Sequence, residues 1–194
     1  MNKLQLRTLA LAAAVGLGGV ALVGCTTTPA NSEASGPSAR AAMDRSVDST
    51  LARLYTTVPG SQELVQRSAG VLVFPSVVGG SFVVGAEHGR GALREGGRTS
   101  GYYSTTAGSI GFQAGGQSKA VVYVFNTREA LQKFKASNGW TAGADATVAV
   151  GKVGANGSID TQTAQQPVAS FILTNVGLEA GAAVGAAKIA PIAL

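Results

Sequence analysis

The feature that most constrains the fold is a series of β-type segments separated by glycines. From Gly70 to Phe125, apolar and β-branched residues alternate with polar ones or form continuous runs, a pattern typical of strands. Gly96-Gly97 lies between two of these segments and favours a tight hairpin turn. The short connections predict an antiparallel meander. The predicted strands cover residues 70–74, 81–86, 91–94, 99–104, 109–115 and 119–125.

Amphipathic helices flank this β region. Apolar residues recur at steps of three and four between residues 43 and 58, which predicts a helix that Pro59-Gly60 ends. A short second helix is predicted over residues 61–68. Asn126, followed three residues later by Glu129, resembles a capping arrangement and predicts a third helix.

The last part of the chain adds further strands to the predicted sheet. Asn156-Gly157 separates two candidate strands and favours a tight hairpin. Two more strands are predicted over residues 168–174 and about 178–189. Enough strands are present for closure into a barrel-like form. The sequence therefore predicts an α+β fold in which a curved antiparallel, barrel-like sheet packs against a few α-helices.

The N-terminus has the three parts of an export signal. Lys3 and Arg7 precede an apolar stretch from Leu9 to Val23, which is shorter than the roughly 20 residues that cross a bilayer. The following Leu22-Val23-Gly24-Cys25 looks like a bacterial lipobox. That resemblance implies cleavage before Cys25, which then carries diacylglycerol and an acyl group. The alternative is an ordinary signal peptide with an incidental cysteine.

The predicted organisation is a lipoprotein signal peptide over residues 1–24, a flexible tether over 25–39 and one domain over 40–194. The tether prediction rests on a stretch of Thr, Ser, Pro, Ala and Asn that has no apolar period. Acylated Cys25 would anchor the chain to a bacterial cell envelope. The residue after the cysteine is Thr26 rather than aspartate, which by the same resemblance implies sorting to the outer membrane. The domain would then face either the periplasm or the cell surface.

The net charge of the chain indicates which classes of binding partner are plausible. The whole chain has 15 basic and 10 acidic residues, and removing the signal peptide with Lys3 and Arg7 leaves 13 and 10, a net charge of +3. Such a small excess on an exported chain argues against nucleic acid as a partner. It remains compatible with an anionic membrane surface.

Three stretches together resemble the SYLF domain family: "AGVLVFPSVVGGSFVVGAEHGRGAL", "GYYSTTAGSIGFQAGGQSKAVVYVFNTREALQKF" and "GWTAGADATVAV". The resemblance covers about residues 41–192. It implies an α+β fold with a curved antiparallel sheet, and binding of membrane phospholipids, which are phosphoinositides in eukaryotic members. It brings no catalytic residues. Some eukaryotic relatives bind actin through segments that this chain does not visibly contain, so actin binding is not transferred.

The first group of candidate headgroup ligands lies around one predicted hairpin. Guanidinium groups bind phosphate through paired hydrogen bonds, and tyrosines favour the boundary between water and acyl chains. The alternative is a solvated hairpin whose arginines protect an exposed edge. An even spacing places two residues on the same face only within one strand. Because the predicted turn separates Arg94 from Arg98, the spacing does not show whether all three arginines share a face. The candidates are Arg90, Arg94 and Arg98, with Tyr102 and Tyr103 following and His88 nearby.

The second group is Arg45 and Arg53 on the first predicted helix. Eukaryotic relatives use a basic amphipathic helix near the domain start against anionic lipid. Here Asp44 and Asp48 are interleaved with the arginines, which also suits an ordinary helix that covers the core. Both interpretations remain open at this stage.

The sequence offers little support for enzymatic or metal-binding functions. "AGSIG" around Ser109 lacks the first glycine of a hydrolase nucleophile turn, and the only histidine, His88, precedes the serine. One acylated cysteine and one histidine do not make a zinc site. We therefore expect no catalysis, metal or cofactor. The rival to lipid binding is a structural or interaction module that recognises an envelope protein and meets the membrane only through Cys25.

Overall fold

The structure, a computed structural model, describes most of the chain after residue 35. The described ranges are 36–81, 84–110, 113–151, 159–175, 177–178 and 186–194. Within them, no helix combines the length and the apolar character needed to cross a membrane. The predicted signal peptide, Cys25 and the tether as far as residue 35 lie outside the described residues.

Three of the four helices in these ranges correspond to predicted ones. They are α1 (Pro37–Thr57), α2 (Ser61–Arg67) and α3 (Arg128–Ala136), and α4 (Thr161–Gln165) is additional. Helix α1 begins inside the range predicted as tether, at a proline whose missing N–H costs nothing in a first turn. The cap of α3 differs from the prediction. Thr127, rather than Asn126, accepts the Ala130 amide at 3.2 Å, while the Asn126 amide donates to the Gln166 carbonyl.

The six short segments predicted between Gly70 and Phe125 form four long strands. These are β1 (Gly70–Ser81), β2 (Val84–Glu95), β3 (Arg98–Ile110) and β4 (Gln113–Phe125). The glycines that suggested breaks lie within the strands. The predicted turn at Gly96-Gly97 is confirmed, because both residues join β2 to β3 with positive φ angles of 56° and 78°.

Gly91 shows why a glycine belongs inside a strand here. The register between β1 and β2 shifts between Val73 and Ser76, which is a β-bulge opposite this glycine. A Cβ atom at position 91 would lie 2.1 Å from the Val73 carbonyl oxygen. The bulge therefore brings two backbones closer than a side chain permits, and only glycine fits.

Five shorter strands complete the sheet: β5 (Trp140–Thr141), β6 (Val148–Val150), β7 (Val168–Thr174), β8 (Gly177–Leu178) and β9 (Ala187–Ile192). The order is β5-β9-β3-β2-β1-β4-β7-β6, with β8 beside β7. The meander prediction is wrong beyond β3, because β4 pairs with β1. The predicted second hairpin is also corrected: β6 pairs with β7 in parallel, and α4 occupies part of the second strand. Asn156-Gly157 lies outside the described residues.

Both faces of the sheet carry a hydrophobic core. Helices α1 and α2 cover part of the face that we call the outer face, where Val47 and Leu54 pack on Val73 and Phe171. Helix α3 covers the inner face with Leu131 and Phe134. Because successive strand residues point to opposite faces, β1 and β4 contribute alternately to the two cores.

The sheet is strongly curled, as the predicted fold class requires. The Trp140 ring on β5 lies 5.9 Å from the Tyr123 ring on β4, although four strands separate β5 from β4 in the sheet. Strands about 4.8 Å apart would place these residues more than 20 Å from each other in a flat sheet. Phe134 of α3 contacts the same indole at 5.5 Å. The inner face is therefore concave, and its aromatic cluster brings one end of the sheet towards the middle strands. The α+β fold with a curved sheet is confirmed.

Burial of tyrosines makes the fold sensitive to alkaline pH. Tyr123 is 1% exposed, and burial raises the pKa of its hydroxyl well above the usual value of 10. Its contribution to stability is present below pH 10 and is lost as the pH rises further, because the unfolded chain ionises first. Between pH 10 and pH 12, the free energy of unfolding should therefore decrease less for Tyr123→Phe than for the wild-type chain. Urea unfolding at both pH values measures this, and parallel declines would contradict it.

Candidate functional site

The three arginines predicted around the hairpin lie on two faces of the sheet. Arg90 and Arg94 are four residues apart on β2, an even separation, and share the outer face. The register of β2 and β3 shifts between Leu93 and Arg94, so Arg98 pairs with Glu95. The Glu95 carboxylate binds Lys135 of α3 at 2.7 Å, a hydrogen bond that lowers the pKa of this carboxyl. The hairpin candidates therefore do not form one cluster.

Arg94 is occupied by helix α1. Its guanidinium donates to Asp48 Oδ1 at 2.7 Å and to the Asp44 carbonyl at 3.1 Å, and its side chain is only 13% exposed. Thr99 adds a 2.7 Å hydrogen bond to Asp44 Oδ1. The aspartates interleaved with the helix arginines thus have a structural partner, and we call this set of contacts the Arg94 clamp.

The two candidate tyrosines also face opposite sides. The Tyr102 hydroxyl lies 3.5 Å from both Asp44 carboxylate oxygens, and burial together with that charge raises the pKa of the phenol. The Tyr103 ring packs on Phe134 in the inner core, 4.9 Å between ring centroids, and burial raises its pKa as well. Both rings are therefore held by contacts within the protein.

Arg45 and Arg53 lie on the exposed side of α1 and line an open groove of about 590 Å³. We call this the α1 groove. The Arg53 guanidinium lies 3.5 Å from the Leu173 carbonyl at one end. Asp48 lines a different cleft, together with Arg94. The remaining residues of the α1 groove are Ala42, Ser46, Ser49, Thr50, Pro75 and Ser76.

Arg90 extends the α1 groove onto the sheet. Its Cα pairs with that of Ser76, so the two side chains share the outer face. Ser76 Oγ lies 2.9 Å from Ser118 Oγ of β4. Within the described ranges, no carboxylate oxygen lies within 4.0 Å of the guanidinium groups of Arg45, Arg53 or Arg90. The site thus combines three arginines that lack ion pairs there with several hydroxyl groups.

Sequence reasoning named these three arginines but assigned them to two separate sites. They come together because the bulge in β1 turns Ser76 towards the helix and because α1 crosses the outer face beside it. Ser76 and Ser118 were missed. No periodic pattern in the sequence signals that one serine from β1 and one from β4 meet beside helix α1.

The hydrolase alternative has no supporting geometry among the described positions. In the β2–β3 register His88 pairs with Thr106, and Ser109 pairs with Gly85. Three positions along a strand correspond to about 10 Å, so the register does not place the backbone positions of His88 and Ser109 opposite each other. His88 Nδ1 lies 3.3 Å from Thr106 Oγ1 instead. In the part of the chain that the structure describes, no three histidine, cysteine, aspartate or glutamate residues group as a metal site.

The Arg94 clamp predicts a stability effect that separates Arg94 from the groove arginines. We expect Arg94→Met to lower the free energy of unfolding by about 2 kcal/mol, because hydrogen bonds to a charged group are lost in a largely buried place. Arg98→Met is the matched control, since this exposed arginine should change stability by less than about 0.5 kcal/mol. Equal effects of the two substitutions in urea unfolding would contradict a clamping role.

Comparison with known proteins gives a family match for part of the chain. Residues 106–192, from β3 to β9, match the family model described as "Ysc84: Las17-binding protein actin regulator". No curated protein matches the chain. The match confirms the SYLF resemblance over this range, whereas α1, α2, β1 and β2 precede it. Residues 106–192 of this chain are therefore similar to the Ysc84 (SYLF) family.

Proposed function

We propose that this chain is an exported, lipid-anchored protein whose SYLF-like domain binds phospholipids with anionic headgroups at a membrane surface. The observation that carries the proposal is the α1 groove, where Arg45, Arg53 and Arg90 lack carboxylate partners among the described residues and adjoin serine hydroxyls. The family match supports a lipid- or actin-binding module in general.

The chemistry of the α1 groove suits phosphate. A guanidinium donates two parallel hydrogen bonds to a phosphate, and hydroxyl groups donate further ones to its remaining oxygens. The open groove leaves the arginines in contact with water, so no large desolvation penalty opposes binding. Each cation near an anionic membrane contributes about 1 kcal/mol. Three such arginines give a modest affinity that salt weakens.

A modest affinity suffices if Cys25 is acylated. Acyl chains hold a protein at the bilayer, so a domain beside them meets the lipid headgroups at high effective concentration. The lipobox-like Leu22-Val23-Gly24-Cys25 supports this anchor, and Thr26 supports the outer membrane of a bacterial cell envelope as the location. In this proposal the N-terminus fixes the location and the folded domain selects the lipid.

The mass of the purified protein tests directly whether Cys25 is acylated. Protein purified from membranes of the producing cell should begin at Cys25 and carry the added mass of a diacylglycerol group and one further acyl chain. Cys25→Ser should leave the first 24 residues attached and carry no added lipid mass. An unmodified cysteine on an otherwise processed chain would contradict the anchor and would leave lipid binding by the domain to be judged separately.

Lipid binding is tested on a fragment without the anchor. Residues 34–194 form one compact unit that contains both hydrophobic cores, so the fragment keeps all packing that the fold needs. It should sediment with phosphatidylcholine vesicles that contain phosphatidylglycerol, at low salt, and not with phosphatidylcholine alone. Replacing both Arg45 and Arg53 by Gln should weaken binding about 25-fold, from about 1 kcal/mol for each charge.

Arg128→Gln is the matched control, because Arg128 is exposed on the opposite face at the start of α3. Its loss should leave vesicle binding nearly unchanged. A fragment that ignores anionic vesicles at low salt would overturn the proposal. Equal losses in the double variant and in the control would refute the groove as the site.

The second candidate function is recognition of an envelope protein, with membrane association through acylated Cys25 alone. The family description names a protein-binding member, which favours an interaction surface of this kind. A stoichiometric protein partner recovered with the fragment, combined with no vesicle binding, would favour this candidate. Neither candidate includes actin or catalysis, because the residues that would support them are not recognised in this sequence.

A further inference from the structure

Beyond the α1 groove, a part of the outer face is covered by none of the described helices. Cross-strand pairs join five strands in one continuous row, so the side chains of this row share the outer face. The hydrogen bond between His88 and Thr106 confirms that orientation. All five side chains are exposed. The row consists of Ser118, Val78, His88, Thr106 and Lys188, in the order β4, β1, β2, β3 and β9.

This row carries positive charge and hydroxyl groups. Lys188 and His88 lie in it, and Arg90 lies in the neighbouring row, beside Ser104. The nearby carboxylates of Glu87 and Asp145 have partners away from this surface. Glu87 binds Lys119 at 2.9 Å on the inner face, and Asp145 accepts the Thr141 backbone amide at one edge.

Val78 adds an apolar contact to the same surface. It is 54% exposed, and among the described residues no other large hydrophobic side chain is exposed to this degree. Elsewhere on the outer face, α1 and α2 bury the apolar side chains of β1, β2 and β4. An exposed valine between a histidine and a serine, with Arg90 in the neighbouring row, suits the headgroup level of a bilayer better than open water.

We propose that this uncovered part of the outer face is the surface with which the domain lies on an anionic phospholipid bilayer, and that His88 makes the attachment stronger as the pH falls. The inference rests on the proposed lipid binding and adds Lys188 and His88 to the contact. Neither residue belongs to the α1 groove. Charge complementarity selects the occupant, because the described groups that face this surface are cationic or neutral.

The groups around His88 determine the sign of the pH effect. Strand β1 presents Val78 and Ser76, β3 presents Thr106 and Ser104, and β9 presents Lys188. On β2 itself the nearest charge on this face is Arg90, and the α1 groove arginines lie beyond Ser76. All of these groups are cationic or neutral. A phospholipid phosphate brings the opposite charge, so bound lipid favours protonation and protonation favours bound lipid.

The test uses fragment 34–194 and vesicles of phosphatidylcholine with phosphatidylglycerol at low salt. Wild type should bind about fivefold more tightly at pH 5.5 than at pH 7.5, the effect of one charge near the surface. His88→Gln should remove this difference, and His88→Lys should bind at pH 7.5 as wild type does at pH 5.5. Lys188→Gln should weaken binding about fivefold at both pH values while the pH ratio persists.

The outcomes separate the two proposals. The inference is wrong if His88→Gln keeps the pH ratio and Lys188→Gln binds vesicles as well as Arg128→Gln does. If the double substitution of Arg45 and Arg53 still weakens binding in that case, the α1 groove remains the lipid site. If wild type binds no anionic vesicle at either pH, the proposed function is wrong and the inference falls with it. Unfolding midpoints equal to wild type show that each exposed substitution leaves the fold intact.

Discussion

The aromatic contacts around Trp140 are the interaction on which the rest of the architecture depends. They hold β5, at one end of the sheet, against β4 near the middle, with Tyr123 and Phe134 packed on the indole. A sheet that curls so tightly has a concave inner face, which α3 fills, and a convex outer face. A convex face cannot be covered completely by one straight helix. Helix α1 therefore buries only part of it.

The Arg94 clamp decides which part of the outer face α1 covers. By binding Asp44 and Asp48, Arg94 fixes the helix towards the β2–β3 turn, so its opposite side borders Ser76 and the uncovered rows. One arginine of the hairpin, Arg94, thus has a structural role, whereas Arg90, four residues earlier, remains available for a ligand. The difference follows from proximity to two carboxylates rather than from residue type, because both side chains are guanidinium groups on the same strand and face.

Much of the secondary structure was predictable, for physical reasons that act locally. The apolar period of α1 and the Gly96-Gly97 turn depend on neighbouring residues, and both were placed correctly. The pairing of β4 with β1 was not predictable, because a strand's partner depends on contacts distant in sequence. Asn126 and Thr127 can each cap the N-terminus of a helix. Thr127 caps α3, because the side chain of Asn126 is hydrogen-bonded to the Gln166 carbonyl.

The candidate site divides in the same way. The sequence by itself determined the residue types: arginines suited to phosphate, a lipobox-like N-terminus and an excess of positive charge too small for nucleic acid. Only the tertiary structure decided which arginines share a surface, because register shifts at two bulges set the face of every following side chain. It also brought His88 and Lys188 into one row across β2, β3 and β9. Strand pairing places residues 100 positions apart in the same row, and no local pattern encodes that.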